Sequence, residues 1–320
     1  MEEGSPRFRD GVLAALPLAP APILFGAAFG VLAVDAGMGR LAPILMSATT
    51  FAGSAQFAAA SILQTGGGVL AAVVAAVLLN ARYVPLSVAV AAIFPGNRRR
   101  RLVESQLIVD ESWALAGRGG RFEYAILAGA GILFWILWVG GTALGALVGD
   151  ALGDAQTLGL DAAFPALFLA LLVPYLRSRR ALVAALLAAG ITLALLPVAP
   201  AGRAHRRCVR RVPRGAAPVT DAWLVVATVG LVTVAFKAAG PVLLGRRPLP
   251  PRVLALVEVL APVMLAALVV TQAVGGEREL VVDERLVGLA AGVVAIALRA
   301  PLLVVIVAAG AVAAVARLLT

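Results

Sequence analysis

The sequence predicts an all-α fold, a polytopic transmembrane helix bundle of about ten hydrophobic spans with at least one broken or re-entrant helix. Three observations predict it. Hydrophobic residues make up 62% of the 320 and charged residues 14%, where a soluble domain has roughly 45–50% and about 25%. The apolar residues fall into blocks separated by short charged loops, with lengths near the roughly 20 residues a helix needs to cross a bilayer. The alternating segments of roughly ten residues that mark a membrane barrel are absent.

Charge and rare residues narrow the function. The net charge is +10, but the arginines sit in short loops beside apolar blocks, where they set orientation and give no nucleic-acid surface. A single cysteine, Cys208, excludes an internal disulfide, and a single histidine, His205, leaves no His/Cys cluster for zinc. No cofactor or metal is implied. The N-terminus, MEEGSPRFRDGV, is acidic before it is basic and leads into an apolar block without a cleavage signature, so it reads as a cytoplasmic lead-in to the first helix.

The first block, Gly11 to Val34, contains Pro17, Pro20 and Pro22, which predict a bent helix because proline removes a backbone donor. Gly26 and Gly30 lie four apart in it, a spacing that lets two helices pack closely. The second block, Leu41 to Leu63, holds SATTFAGSAQFAAASILQ. Gln56 lies there at a depth where lipid would leave its amide unpaired, so it should face protein, water or a ligand. The third block, Val69 to Phe94, is interrupted at NARYVP. Arg82 near its middle is either an intramembrane functional group, against an insertion cost of about 2.5–3.5 kcal/mol, or a surface residue between two shorter segments. Both readings stay open.

Arg98 to Arg101 form a run that the positive-inside rule places in the cytoplasm. The carboxylates of Asp110 and Glu111 are adjacent and point in different directions on a helix, so they read as part of a solvated loop and imply no paired acid/base site. Tyr124 to Val148, Ala162 to Leu176 and Ala181 to Val198 follow, the last two separated by a second basic loop, RSRR. With the N-terminus and the Arg98 loop both cytoplasmic, three blocks give the wrong parity. One block, the second or third, is therefore expected to be broken or re-entrant or to divide into two short spans, and broken helices free backbone groups that can line a cavity. The second part of the chain starts near Val219, with blocks Ala222 to Leu244, Val253 to Val274, Leu286 to Leu298 and Pro301 to Leu318. Lys237, the only lysine, lies in the first of these and Glu258 in the second. The two can pair within the membrane, although snorkelling of Lys237 to the interface is the commoner outcome.

PILFGAAFG, SATTFAGSAQFAAASIL, LLNARYVPLSV and VDESWAL together resemble the large subunit of the AzlC family of branched-chain amino acid exporters. Residues 219–320, with AFKAAGPVLL and RRPLPPRVLALVEVLAPVMLAALV, are similar to the small AzlD-type partner. Lys237 stands where that partner usually has arginine, and a lysine lacks the planar fork for bidentate contacts. The chain then divides into an AzlC-like part, 1–202, a basic junction, 203–218, and an AzlD-like part of about four helices, 219–320.

The junction departs from the family. RAHRRCVRRVPR carries six arginines where the family has a last apolar helix. Arginine codons of the CGN type begin with G when read one base later and give Val, Ala or Gly, so a single-base frameshift accounts for the run. A genuine fusion through a basic linker is the alternative. Resequencing across codons 195–225 separates them.

The resemblance implies export of valine, leucine and isoleucine, with methionine as a further candidate, from the bacterial cytoplasm through the inner membrane, driven by the proton-motive force, with the large and small halves associating. A homo-oligomer is a further candidate assembly. An amino-acid substrate needs partners for a carboxylate and an ammonium group, and an apolar pocket. Arg82 is the candidate for the carboxylate. Carbonyls freed at Gly53 and Ser54, with Gln56 and Asn80, are candidates for the ammonium group. Asp110 and Glu111 match the family motif as candidates for gating or proton coupling, alongside Lys237 and Glu258. The competing classes are a membrane enzyme acting on lipid, which would need a repeated acid/base or metal cluster, and a non-catalytic scaffold, which would give Gln56, Asn80 and Arg82 no role.

Overall fold

The computed structural model describes residues 7–64, 67–118, 121–152, 165–166, 168–170, 172–173, 176, 178–195, 219–245, 251–274 and 283–319. The helices are α1 Phe8–Ala15, α2 Pro20–Asp35, α3 Leu41–Thr49, α4 Gly53–Gln64, α5 Val69–Asn80, α6 Tyr83–Ala89, α7 Arg98–Glu104, α8 Asp110–Ala116 and α9 Tyr124–Leu152. They continue with α10 Arg179–Leu195, α11 Val219–Ala238, α12 Pro251–Val274, α13 Glu284–Ala297 and α14 Leu302–Leu319. Two short strands, Gly117–Arg118 and Arg121–Phe122, pair antiparallel between α8 and α9. The architecture is the helical bundle expected.

Among the described residues, Val69–Ala89, Tyr124–Val148 and Thr220–Leu244 are each long and apolar enough to cross a membrane. Phe8–Leu18 with Pro20–Asp35 makes a fourth if the bent pair is one span, and these are four of the roughly ten spans expected. Exposed Leu70, Leu78 and Leu231 on these spans are the lipid-facing surface of such helices.

Two compact units form, residues 1–152 with 204–249 and residues 153–203 with 250–320. Each draws on both halves of the chain, because α11 groups with the first unit and α10 with the second. The basic junction at 203–218 lies outside the described residues.

In the first unit, the prolines of the first block bend it by 63° between α1 and α2, as their missing N–H donors require. The glycines of α2 then meet glycines of α9 backbone to backbone. A Cβ on Gly26 would lie 2.6 Å from the Trp138 carbonyl oxygen, and one on Gly30 would strike that of Thr142. The contact is reciprocal, since a Cβ on Gly141 or Gly145 would strike the carbonyl of Ile23 or Ala27. Small residues at four-residue spacing on both helices permit this approach.

The second block is interrupted as well. It stops at Thr49, passes through Phe51 at φ 42°, and restarts at Gly53. A bulky residue in the left-handed region is an outlier that surrounding structure must hold in place, at a typical cost of 1–3 kcal/mol. The third block loosens for one turn at Ala81 and Arg82 and runs on as a single span.

In the second unit, α10 packs on α12 and α13 on α14. Ala166 joins Ala295 of α13 and Val305 and Ala309 of α14 in a small buried core. Arg299, at φ 57°, and Pro301 end α13 and start α14.

Candidate functional site

The site forms in the first unit, around the break at Phe51. A helix that stops inside an apolar bundle leaves carbonyls and amides without partners, and each must find one. Two separate groups of side chains do this.

The first group is built on Gln56. Its Oε1 accepts from the Ala52 amide and from Trp138 Nε1, both at 3.1 Å. Its Nε2 donates to Ser47 Oγ at 2.8 Å, Ser47 Oγ lies 2.8 Å from Thr142 Oγ1, and Thr142 Oγ1 donates to the Trp138 carbonyl at 2.9 Å. Ser47, Gln56 and Thr142 are fully buried. Gln56 faces protein, as its depth in the sequence requires, and it ties α3, α4 and α9 together. Gly53 is explained by the same packing, because a Cβ there would lie 2.8 Å from the Trp138 ring. Gln56→Ala should cost about 2–3 kcal/mol, since it strands the Trp138 and Ala52 donors in a dry interior. A thermal midpoint unchanged from wild type in the purified protein would contradict this network.

The second group carries charge. Arg82, at the loosened turn between α5 and α6, pairs with Asp110 at the start of α8 at 2.9 Å, with side chains 10% and 8% exposed. The expectation of a solvated loop for Asp110 is therefore corrected. A guanidinium from another helix neutralises the carboxylate and makes its burial possible, which adjacency in sequence cannot reveal. Ser112 fixes the turn by donating to the Leu107 carbonyl at 2.6 Å and accepting from the Val109 amide at 3.1 Å. Glu111 is partly buried, and burial together with the neighbouring Asp110 charge pushes its carboxyl above the ordinary carboxylate value.

Lys237 of α11 completes this group. It is fully buried, so the expected snorkelling to the interface does not occur. Its Nζ donates to the Phe51 carbonyl at 2.9 Å and to the Gln106 carbonyl at 3.3 Å. The rings of Phe51 and Tyr83 lie 4.9 and 4.7 Å from it. The freed carbonyl that a cation reaches is thus that of Phe51, just before Gly53 and Ser54. Glu258, the partner considered for Lys237, belongs to the second unit on α12, and its side chain lies outside the described residues.

One face of α11 makes all these approaches. Gly230 packs against Thr49 and Thr50, and Thr233 Oγ1 accepts from Asn80 Nδ2 at 2.7 Å. Lys237 follows one turn later, and Gly240 lies against the Ser87 backbone with its amide donating to Ser87 Oγ at 3.1 Å. Among the described residues, the buried atoms Thr50 Oγ1, Ser54 Oγ, Asn80 Oδ1 and Arg82 Nε find no hydrogen-bond partner. The structure therefore brings Asn80, Arg82, Asp110 and Lys237 to one region and leaves Gln56 in a separate, fully paired network. Phe51, Tyr83, Gln106 and Thr233 were not singled out from sequence. Thr233 is four residues before Lys237 and Tyr83 is next to Arg82, spacings that could have marked both.

Comparison with known proteins gives the ancestry. The AzlC protein family model matches residues 17–152. The model for the branched-chain amino acid transport protein AzlD matches residues 222–317. An uncharacterized membrane protein of Archaeoglobus fulgidus is 32% identical over 178 residues, 55% of this chain and 78% of that protein. The branched-chain amino acid transport protein AzlC of Bacillus subtilis is 25% identical over 197 residues, 59% of this chain and 76% of that one. The inner membrane protein YgaZ of Escherichia coli is 29% identical over 217 residues, 61% and 86% of the two chains. No solved structure matches the chain. This membrane protein therefore belongs to the AzlC family through its first part and carries an AzlD domain in its last.

Proposed function

We propose that the chain is a secondary transporter that exports branched-chain amino acids, namely valine, leucine and isoleucine with methionine as a further candidate, across the bacterial inner membrane on the proton-motive force. Kinship supports the substrate class, since the Bacillus subtilis relative is named a branched-chain amino acid transport protein. The observation that carries the reading is the buried charge around the broken helix, where Lys237 meets the Phe51 carbonyl and Arg82 meets Asp110. Charged groups inside an apolar bundle are costly and are kept where something polar passes.

In this reading the substrate carboxylate shares Arg82 with Asp110, through the guanidinium edge whose Nε lacks a partner. Thr50, Ser54 and Asn80 offer further unpaired oxygens. Glu111, holding its proton to higher pH than a free glutamate, is the group suited to carry the coupling proton.

The test is efflux of labelled valine from cells loaded with a valine-containing dipeptide. Expression of the chain should speed efflux, a protonophore should abolish the gain, and Glu111→Gln should flatten its dependence on pH. Efflux no faster than from cells with an empty vector would overturn the proposal.

A further inference from the structure

The surroundings of Lys237 Nζ describe the chemistry of what they hold. Two backbone carbonyls, those of Phe51 and Gln106, accept at 2.9 and 3.3 Å. Two aromatic rings face the same nitrogen at 4.9 and 4.7 Å. Among the described residues, Asp110 is paired with Arg82, and the nearby Glu111 makes no ion pair with Lys237. A cage of neutral carbonyl oxygens and π faces selects a cation, and its two carbonyls demand N–H donors, which a quaternary ammonium lacks.

Lys237 is the chain's only lysine, and its terminal group is a primary ammonium. The ammonium group of a zwitterionic amino acid is the same chemical group. The cage also lies at the helix break, where a non-glycine residue is held at φ 42° so that its carbonyl turns toward α11. Such strain persists where surrounding structure over-determines it, and here the lysine contact is what holds the carbonyl.

We infer that the Phe51 and Gln106 carbonyls with the Phe51 and Tyr83 rings form a primary-ammonium subsite, which Lys237 fills in this structure and which the ammonium group of a transported amino acid takes in its place. This rests on the export reading for the identity of the ligand. The cage itself does not depend on it. Lys237 is then a tethered competitor of the substrate, and displacing it removes one of the ties between α11 and the broken helix, leaving the Gly230 contact with Thr49 and Thr50.

The cage is tested first with Lys237→Ala in the full chain, which removes the native ammonium group. Propylammonium should raise the thermal midpoint of this variant saturably, whereas tetramethylammonium and propanol should not, and wild type, with its cage filled, should not respond. Equal shifts from propylammonium and tetramethylammonium, or an equal shift in wild type, would overturn the subsite.

The second measurement needs no variant. Acylation of Lys237 by a small amine-reactive reagent, read on its peptide by mass spectrometry, should be slow in wild type and at least fivefold faster with saturating valine. Isovalerate, the same skeleton without the ammonium group, should leave the rate unchanged. An unaltered rate in protein that exports valine would overturn the displacement. Loss of the export reading with propylammonium still stabilising Lys237→Ala would uphold the cage and remove the amino acid as its ligand.

Discussion

Asp110→Asn is expected to lower the stability of the protein by about 3–5 kcal/mol and to abolish valine export, because it leaves the Arg82 guanidinium charged, buried and unpaired. Asparagine keeps the size of the side chain, so the loss reports charge rather than a cavity. Stability and transport can then be separated with a second variant. Replacing both partners by apolar residues of similar volume, Arg82→Met with Asp110→Leu, should recover most of the thermal midpoint, since a buried ion pair is seldom better than well-packed hydrocarbon. Export should not recover, because neither a carboxylate receptor nor its counter-charge remains. A double variant that exports valine at the wild-type rate would show that the pair serves only the fold.

Gly145→Leu should be the most damaging change on the α2 and α9 interface. A Cβ at this position would run into the Ala27 carbonyl oxygen, so the two helices must move apart to admit any side chain. Overpacking typically costs about 1–3 kcal/mol, and here the obstacle is backbone, which cannot rotate away. The displacement would also pull Trp138 and Thr142 from Gln56 and Ser47, coupling the two losses. Gly140 is a control on the same helix, since a Cβ there meets nothing within 4 Å. Gly140→Ala should leave the melting temperature unchanged or raise it, as alanine is the better helix former by up to about 1 kcal/mol. Equal melting of the two variants would contradict the interface.

The bent first block and the close glycine contact were legible in the sequence, and a break was legible only as lying in the second or third block. Their causes are local: prolines without donors, glycines without side chains, and an amide that lipid would not tolerate. The pairing of Gln56 with protein was legible in kind, while its partners Ser47, Trp138 and Thr142 were not, because hydroxyls and indoles are common in apolar helices and carry no sign of their orientation. Asp110 and Lys237 were misread for a single reason. Whether a charge is buried depends on a partner brought by the fold, and Arg82 and the Phe51 carbonyl come from distant stretches of chain. The snorkelling rule applies to a lysine surrounded by lipid; it gives way where a carbonyl and two rings already surround the nitrogen.

The contact between Lys237 and Phe51 spans 186 residues of sequence, and this sets a timetable for synthesis. At about 5–20 residues per second on the ribosome, the broken helix must wait roughly 10–40 s for its lysine to be made. During that interval the Phe51 carbonyl has no cation and the surface that will receive α11 is uncovered. Translation of a continuous chain ends the wait in every molecule, whereas two separate messages would leave it to the chance meeting of their products.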